Sequence, residues 1–249
     1  MIRVLLFLIL AVLTVSAQAT DASKVERIPG ETLTLNFPEL GNMAKGLSAE
    51  CQIRFPENYN EVDRFPLFVW FGGGGGSSSV GGAQGIVDFD KFIVVALPYP
   101  DGRLPRLGVR DGGIEDFEAF HSTMLKRIRA TVPNISETAR IAGGSSSGGH
   151  LLGSALDLDW PEFTGYFTAF VLHEGGYAPY MTYRGIREGS DVLVTYGENS
   201  KSRTWQEGFI KKFRIAYPPT TFVEIPEAGH GLNADGKQAI HQWIEDTFL

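Results

Sequence analysis

Ser146 stands at the centre of Gly144-Ser145-Ser146-Ser147-Gly148, a G-x-S-x-G pentapeptide. An apolar segment, Ala139 to Ala142, enters it and a helix-compatible segment, Gly149 to Leu158, leaves it. A strand, a sharp turn and a helix in that order hold a serine on a strained elbow with its hydroxyl exposed above a sheet. The flanking glycines suit a turn with no room for side chains. A serine hydroxyl is a poor nucleophile until an imidazole takes its proton, so the chemistry implied is acyl transfer with a histidine as base. The chain offers His121, His150, His173, His230 and His241. His230 lies in Glu227-Ala228-Gly229-His230-Gly231, a glycine-flanked loop just past the last apolar run. Active-site groups of an open α/β sheet gather at the carboxyl ends of its strands, so His230 is the expected base. His173, at the end of a strand, is its rival. His150, early on the helix behind Ser146, is placed to rim a pocket, and His121 and His241 fall in amphipathic helical patterns with an expected surface role.

Acyl transfer also needs N–H donors aimed at the developing oxyanion. Gly72 to Gly76 follows the apolar run ending at Phe71. Its bare backbone makes Gly73 and Gly74 donor candidates, with the N–H of Ser147 as the second contributor. Phosphate binding fits this run poorly. No lysine closes it as G-x-x-x-x-G-K-[ST] requires, and a serine falls where the third glycine of G-x-G-x-x-G belongs.

The elements that must position these groups can be read from periodicity. Glu31 to Phe37 and Ala49 to Phe55 alternate polar and apolar residues and predict antiparallel strands near an edge. Pro66 to Phe71, Phe92 to Leu97, Arg140 to Gly143, Phe167 to Leu172, Val192 to Tyr196 and Phe222 to Ile225 predict buried strands. Ile114 to Arg129, Thr204 to Ile215 and Ala234 to Phe248 carry apolar residues at three- and four-residue steps and predict helices. Leading antiparallel strands followed by alternating strands and helices predict an α/β sandwich, a mostly parallel sheet with helices on both faces.

The chain has 249 residues and a net charge of −7. The basic start Met1-Ile2-Arg3, the apolar Val4 to Val15 and the small-x-small Ala17-Gln18-Ala19 have the layout of a secretory signal peptide. Residues 1–19 are therefore read as a signal and 20–249 as a single domain, exported to periplasm or medium, with no stable membrane association after cleavage. No basic run invites nucleic acid. Cys51 is the only cysteine, so no internal disulfide forms, and a core role is expected for it. No zinc-spaced cluster of cysteines exists, and neither a metal nor a cofactor is called for.

The elbow, the Gly-His-Gly loop and Phe55-Pro56-Glu57-Asn58-Tyr59 followed by Phe65-Pro66-Leu67 resemble the α/β-hydrolase superfamily. They look most like its small secreted esterases: feruloyl and acetyl xylan esterases and polyhydroxybutyrate-depolymerase-like enzymes. The resemblance spans about residues 31 to 249. It implies the α/β-hydrolase fold, a serine esterase acting on a small-molecule or polysaccharide-linked ester, and a triad in the order Ser, acid, His. Similar enzymes carry the acid just past the strand that here ends Val194-Thr195-Tyr196-Gly197, about three residues after the glycine, where this chain has Ser200. Glu198 is the nearest carboxylate and is the expected acid, with Glu174 as runner-up. A second departure is Phe71-Gly72, where many relatives have His-Gly. These departures keep open a catalytically impaired binding protein of the same fold, and a serine peptidase is a further alternative. Gly176 to Gly189, with Tyr177, Tyr180, Met181 and Tyr183, is long enough to shape a pocket, and its aromatics are read as either ligand-binding or packing.

Overall fold

The computed structural model describes residues 25–44, 49–100, 113–176, 181–201, 208, 211 and 220–249. Eight strands form one sheet: β1 Thr32–Asn36, β2 Glu50–Arg54, β3 Phe65–Phe71, β4 Ile93–Ala96, β5 Ile135–Ser145, β6 Ala169–His173, β7 Asp191–Gly197 and β8 Thr221–Ile225, in the order β1-β2-β4-β3-β5-β6-β7-β8. β2 runs antiparallel to both β1 and β4, and every later pairing is parallel. The two alternating segments thus lie at one edge, as their half-exposed pattern predicts.

The period of two sorts the strands' side chains between two cores. Leu67, Val69 and Phe71 of β3, with Phe170 and Leu172 of β6, pack on one face against Phe117, Phe120, Met124 and Ile128. Those four lie on α2 (Ile114–Thr131), the second helix after the short α1 (Gly41–Ala44). Phe68 and Trp70, with Val171 and Leu193, pack on the other face against Ile240 and Ile244 of the closing helix Ala234–Phe248. That helix is α5, following α3 (Ser147–Leu158) and α4 (Pro161–Thr164). Asn233 caps it, its Oδ1 accepting from the Gly236 N–H at 2.8 Å. The cap orders the loop between β8 and α5, and that loop carries His230.

Two expectations change. β5 is longer than Arg140 to Gly143, because Ile135 pairs with Phe65 across a bulge before the regular ladder begins at Arg140. α3 starts two residues early, at Ser147, since Ser146 itself is the break between strand and helix. Most of the predicted helix Thr204 to Ile215 lies outside the described residues, as do residues 1–19. Cys51 is fully buried and pairs in register with Leu35, and burial pushes its thiol far above the ordinary range. Among the described residues no helix is long and apolar enough to cross a membrane, and no group of three or more His, Cys, Asp or Glu could hold a metal ion.

Candidate active site

Ser146 sits where β5 ends and α3 begins, with φ 51° and ψ −107°. A non-glycine residue in that region is held there only when its surroundings over-determine it. Those surroundings are specific. The Ser146 N–H donates to the His173 carbonyl at the end of β6 at 2.8 Å, and the Ser146 carbonyl accepts from the His150 N–H at 2.9 Å. Gly148 lies so close to β3 that a Cβ there would stand 2.1 Å from the Phe71 oxygen. The helix is thereby pressed onto the sheet, and the serine side chain is turned outward.

Ser146 Oγ lies 2.9 Å from His230 Nε2. His230 Nδ1 lies 3.2 Å from Oε2 of Glu174. The carboxylate hydrogen-bonded to His230 is thus that of Glu174, the runner-up, and not that of Glu198, which accepts the Glu227 N–H at 2.9 Å in the loop that leads to the histidine. Glu174 follows β6 immediately, and its side chain is wholly buried. Beyond the imidazole it accepts the Gly197 N–H on one oxygen and the Ser200 hydroxyl, at 2.7 Å, on the other. Ser200 occupies the slot where the resemblance led us to look for an acid, and it supports one that arrives from the neighbouring strand. Glu174 has φ 52°, which turns the chain back over the elbow. The two residues after it are glycines by necessity. A Cβ on Gly175 would meet the Ser146 oxygen at 2.3 Å, and one on Gly176 the Gly149 oxygen at 2.3 Å. A Glu-Gly-Gly run directly after the buried strand Ala169–His173 was the available signal for this turn.

His173, the rival base, points away from the serine. It is buried, its Nδ1 pairs with Thr195 Oγ1 at 2.8 Å, and its Nε2 faces the Gly231 backbone without reaching hydrogen-bond geometry. Burial lowers its proton affinity and keeps it neutral. It is a support beneath the His230 loop. His150 Nδ1 accepts the Gly176 N–H at 3.4 Å, tying α3 to the same turn.

The glycine run lies beside the serine. A Cβ on Gly73 would approach Ser146 Cβ at 3.6 Å, which puts the Gly73 backbone at the nucleophile. Gly74 has φ +61° with open space around it. Ser147 is the first residue of α3, where backbone N–H groups have no partner within the helix. The loop is shaped by a turn from the Gly76 N–H to the Gly73 carbonyl at 3.2 Å and by Tyr99, whose hydroxyl donates to the Gly72 carbonyl. Gly76 lies flat on the Tyr99 ring, 2.7 Å from where a Cβ would be. Met181 and Tyr183 are buried, and the Tyr183 hydroxyl donates to the Gly176 carbonyl at 3.0 Å, so these two pack rather than line an open pocket. Tyr177 and Tyr180 lie outside the described residues.

Phe71, where the resemblance led to an expected histidine, is fully buried in the core, edge-on to His121 at 5.3 Å. His121 corrects another expectation: it is completely buried, not on the surface. Its ring nitrogens face two carbonyls, Phe117 at 2.8 Å and Pro98 at 2.9 Å. A neutral imidazole can donate to only one of them, yet burial wins and lowers its pKa to about 4. Between pH 6.5 and 4 the unfolded chain therefore binds a proton at this position that the folded chain does not, so stability rises with pH in that window. Urea unfolding should show about 3 kcal/mol less stability at pH 4 than at pH 7 from this group. His121→Gln should flatten that part of the slope, and an unchanged slope would refute the assignment.

The strand order, the single antiparallel second strand of the sheet and the helices on both faces are the α/β-hydrolase fold. Solved structures agree with it. A thermostable esterase superposes with a TM-score of 0.62 at 18% identity over 87% of this chain, which spans 62% of that protein's length. Thermogutta terrifontis esterase 2, phosphorylated by paraoxon, gives 0.59 at 16% identity over 90% of this chain and 96% of its own. S-formylglutathione hydrolase from Staphylococcus aureus gives 0.59 at 12% identity over 89% and 98%. Neither a scan of protein-family models nor a search of curated proteins by sequence returns a match.

Proposed function

We propose that this chain is an exported serine hydrolase that cleaves carboxylic esters through an acyl-enzyme on Ser146. The observation that carries the reading is the unbroken relay from Ser146 Oγ through both ring nitrogens of His230 to the buried carboxylate of Glu174. His230 Nε2 takes the serine proton as Oγ attacks the ester carbonyl. The tetrahedral oxyanion develops against the N–H groups of Ser147 and of Gly73 and Gly74. His230 passes its proton to the departing alcohol, leaving an ester on Ser146. Water then repeats the route: His230 deprotonates it, the acid is released, and the proton returns to Ser146 Oγ. Glu174 keeps the imidazole in the tautomer with its proton on Nδ1 and stabilises the imidazolium formed in each half. That the solved structures sharing this fold include esterases supports the ester class. Phe71 bears on the donors only through the backbone, because its side chain lies in the core.

The test is incubation of the folded protein with p-nitrophenyl acetate and with a fluorophosphonate probe. Hydrolysis, together with a stoichiometric adduct that mass spectrometry locates on Ser146, is expected. A folded protein that takes no label, or takes it on another residue, overturns the reading.

A further inference from the structure

At the amino-terminal end of the parallel strands, opposite Ser146, lies an open cavity of about 780 Å³. Arg64 precedes β3, Lys126 and Arg129 come from α2, and Arg140 comes from β5, and all four line it. Arg140 is five residues before Ser145 on the same strand, so the cavity starts roughly 17 Å from the elbow. The carboxylates on its wall, Glu137 and Glu162, are outnumbered two to one, in a chain whose net charge is −7. Among the described residues none of the four cations forms an ion pair.

The cations are also crowded. The guanidinium carbons of Arg129 and Arg140 each lie 4.6 Å from the centre of the Tyr166 ring, which holds two like charges no more than about 9 Å apart. Arg64 is pinned at the wall by donating to the carbonyls of Pro133 and Ile135, at 3.1 and 3.3 Å. A wall of cations with no carboxylate partner is complementary to a ligand that brings acceptors and negative charge.

We propose that this cavity binds a small multivalent oxyanion, a polycarboxylate or a phosphate ester, at a site separate from the serine centre. The ligand's oxygens accept from the guanidinium groups of Arg129 and Arg140 and relieve their repulsion. Lys126 and Arg64 add charge at the rim. The size of the cavity is in the range of ordinary small-molecule sites.

The test is isothermal titration of the full chain with citrate and with inorganic phosphate, at an ionic strength held constant with sodium chloride. Saturable one-site binding by at least one probe is expected. Tighter binding of citrate identifies the polycarboxylate, and tighter binding of phosphate identifies the phosphate ester. Lys126→Gln combined with Arg129→Gln, both exposed positions, should weaken that binding at least ~10-fold with the unliganded melting temperature unchanged. If the double variant does not fold, Lys126→Gln alone decides, since it removes one exposed cation of the wall and should weaken binding several-fold. No saturable binding by either probe, or wild-type affinity in the folded variant, overturns the site.

Discussion

Glu174→Gln should lower kcat on p-nitrophenyl acetate by about 10⁴-fold, while Glu198→Gln stays within tenfold of wild type. The first figure is the scale seen when the carboxylate of a Ser-His-acid relay is replaced by its amide, and it corresponds to about 5 kcal/mol of transition-state stabilisation. The geometry explains why the amide fails here. Glu174 accepts from the Gly197 N–H, the Ser200 hydroxyl and His230 Nδ1. Oε2 alone takes both the hydroxyl and the imidazole. A glutamine NH₂ at that oxygen would confront two donors, and turning it toward Gly197 would confront a third. The histidine would be driven into the tautomer that directs a proton at Ser146 Oγ rather than accepting one. The buried negative charge that stabilises the imidazolium would be gone as well. Glu198 accepts from a backbone N–H in the loop before His230, so its loss costs placement of that loop. Steady-state kinetics on both variants, with circular dichroism to show folding, decides the matter. A Glu174→Gln enzyme within tenfold of wild type, or a larger loss from Glu198→Gln, would sink the assignment.

The acid was hidden in the sequence for a physical reason. Ser146 and His230 are legible because glycines advertise their turns, and because each lies past the carboxyl end of a strand, Ser146 directly and His230 a few residues on. Glu174 also follows a strand and also precedes glycines. Its role depends on the lateral order of strands, which places the end of β6 between the elbow on β5 and the Ser200 loop after β7. No linear spacing carries that adjacency. The resemblance points one strand too far, to Ser200, whose hydroxyl donates to the Glu174 carboxylate. His121 was misplaced differently. Phe117, Phe120, His121, Met124, Leu125 and Ile128 form one buried stripe at helical spacing. The period alone puts residue 121 inside, and only its polarity argued for the surface. The sheet, by contrast, was legible almost strand for strand, because β-branched apolar runs buried on both faces have few other places to go.

Gly148→Ala should destabilise the protein by about 3 kcal/mol or more and cost activity at least ~100-fold. The added methyl would stand 2.1 Å from the Phe71 oxygen, 2.7 Å from its carbon and 2.8 Å from its Cβ. Two of these are backbone atoms in the ladder between β3 and β5, so neither can swing aside as a side-chain tip would. Ordinary contact lies near 3.5–4 Å, and the first turn of α3 must therefore retreat from the sheet by more than an ångström. Overpacking of this kind costs on the order of 1–3 kcal/mol even where the core can adjust, and rigid backbone on one side removes most of the adjustment. In a chain of this size 3 kcal/mol corresponds to roughly 6–12 °C in Tm. The activity loss follows from the same displacement. Ser146 is the residue before α3, its Oγ sits 2.9 Å from His230, and a shift of about 1 Å in a reacting group can cost ~10²-fold. Gly229→Ala is the matched control: it neighbours His230, a Cβ there meets nothing within 4 Å, and its φ is unexceptional. Thermal melts and turnover of the two variants should diverge accordingly, and a Gly148→Ala protein that melts and turns over like Gly229→Ala would show that the elbow is not held by the close contact between α3 and β3.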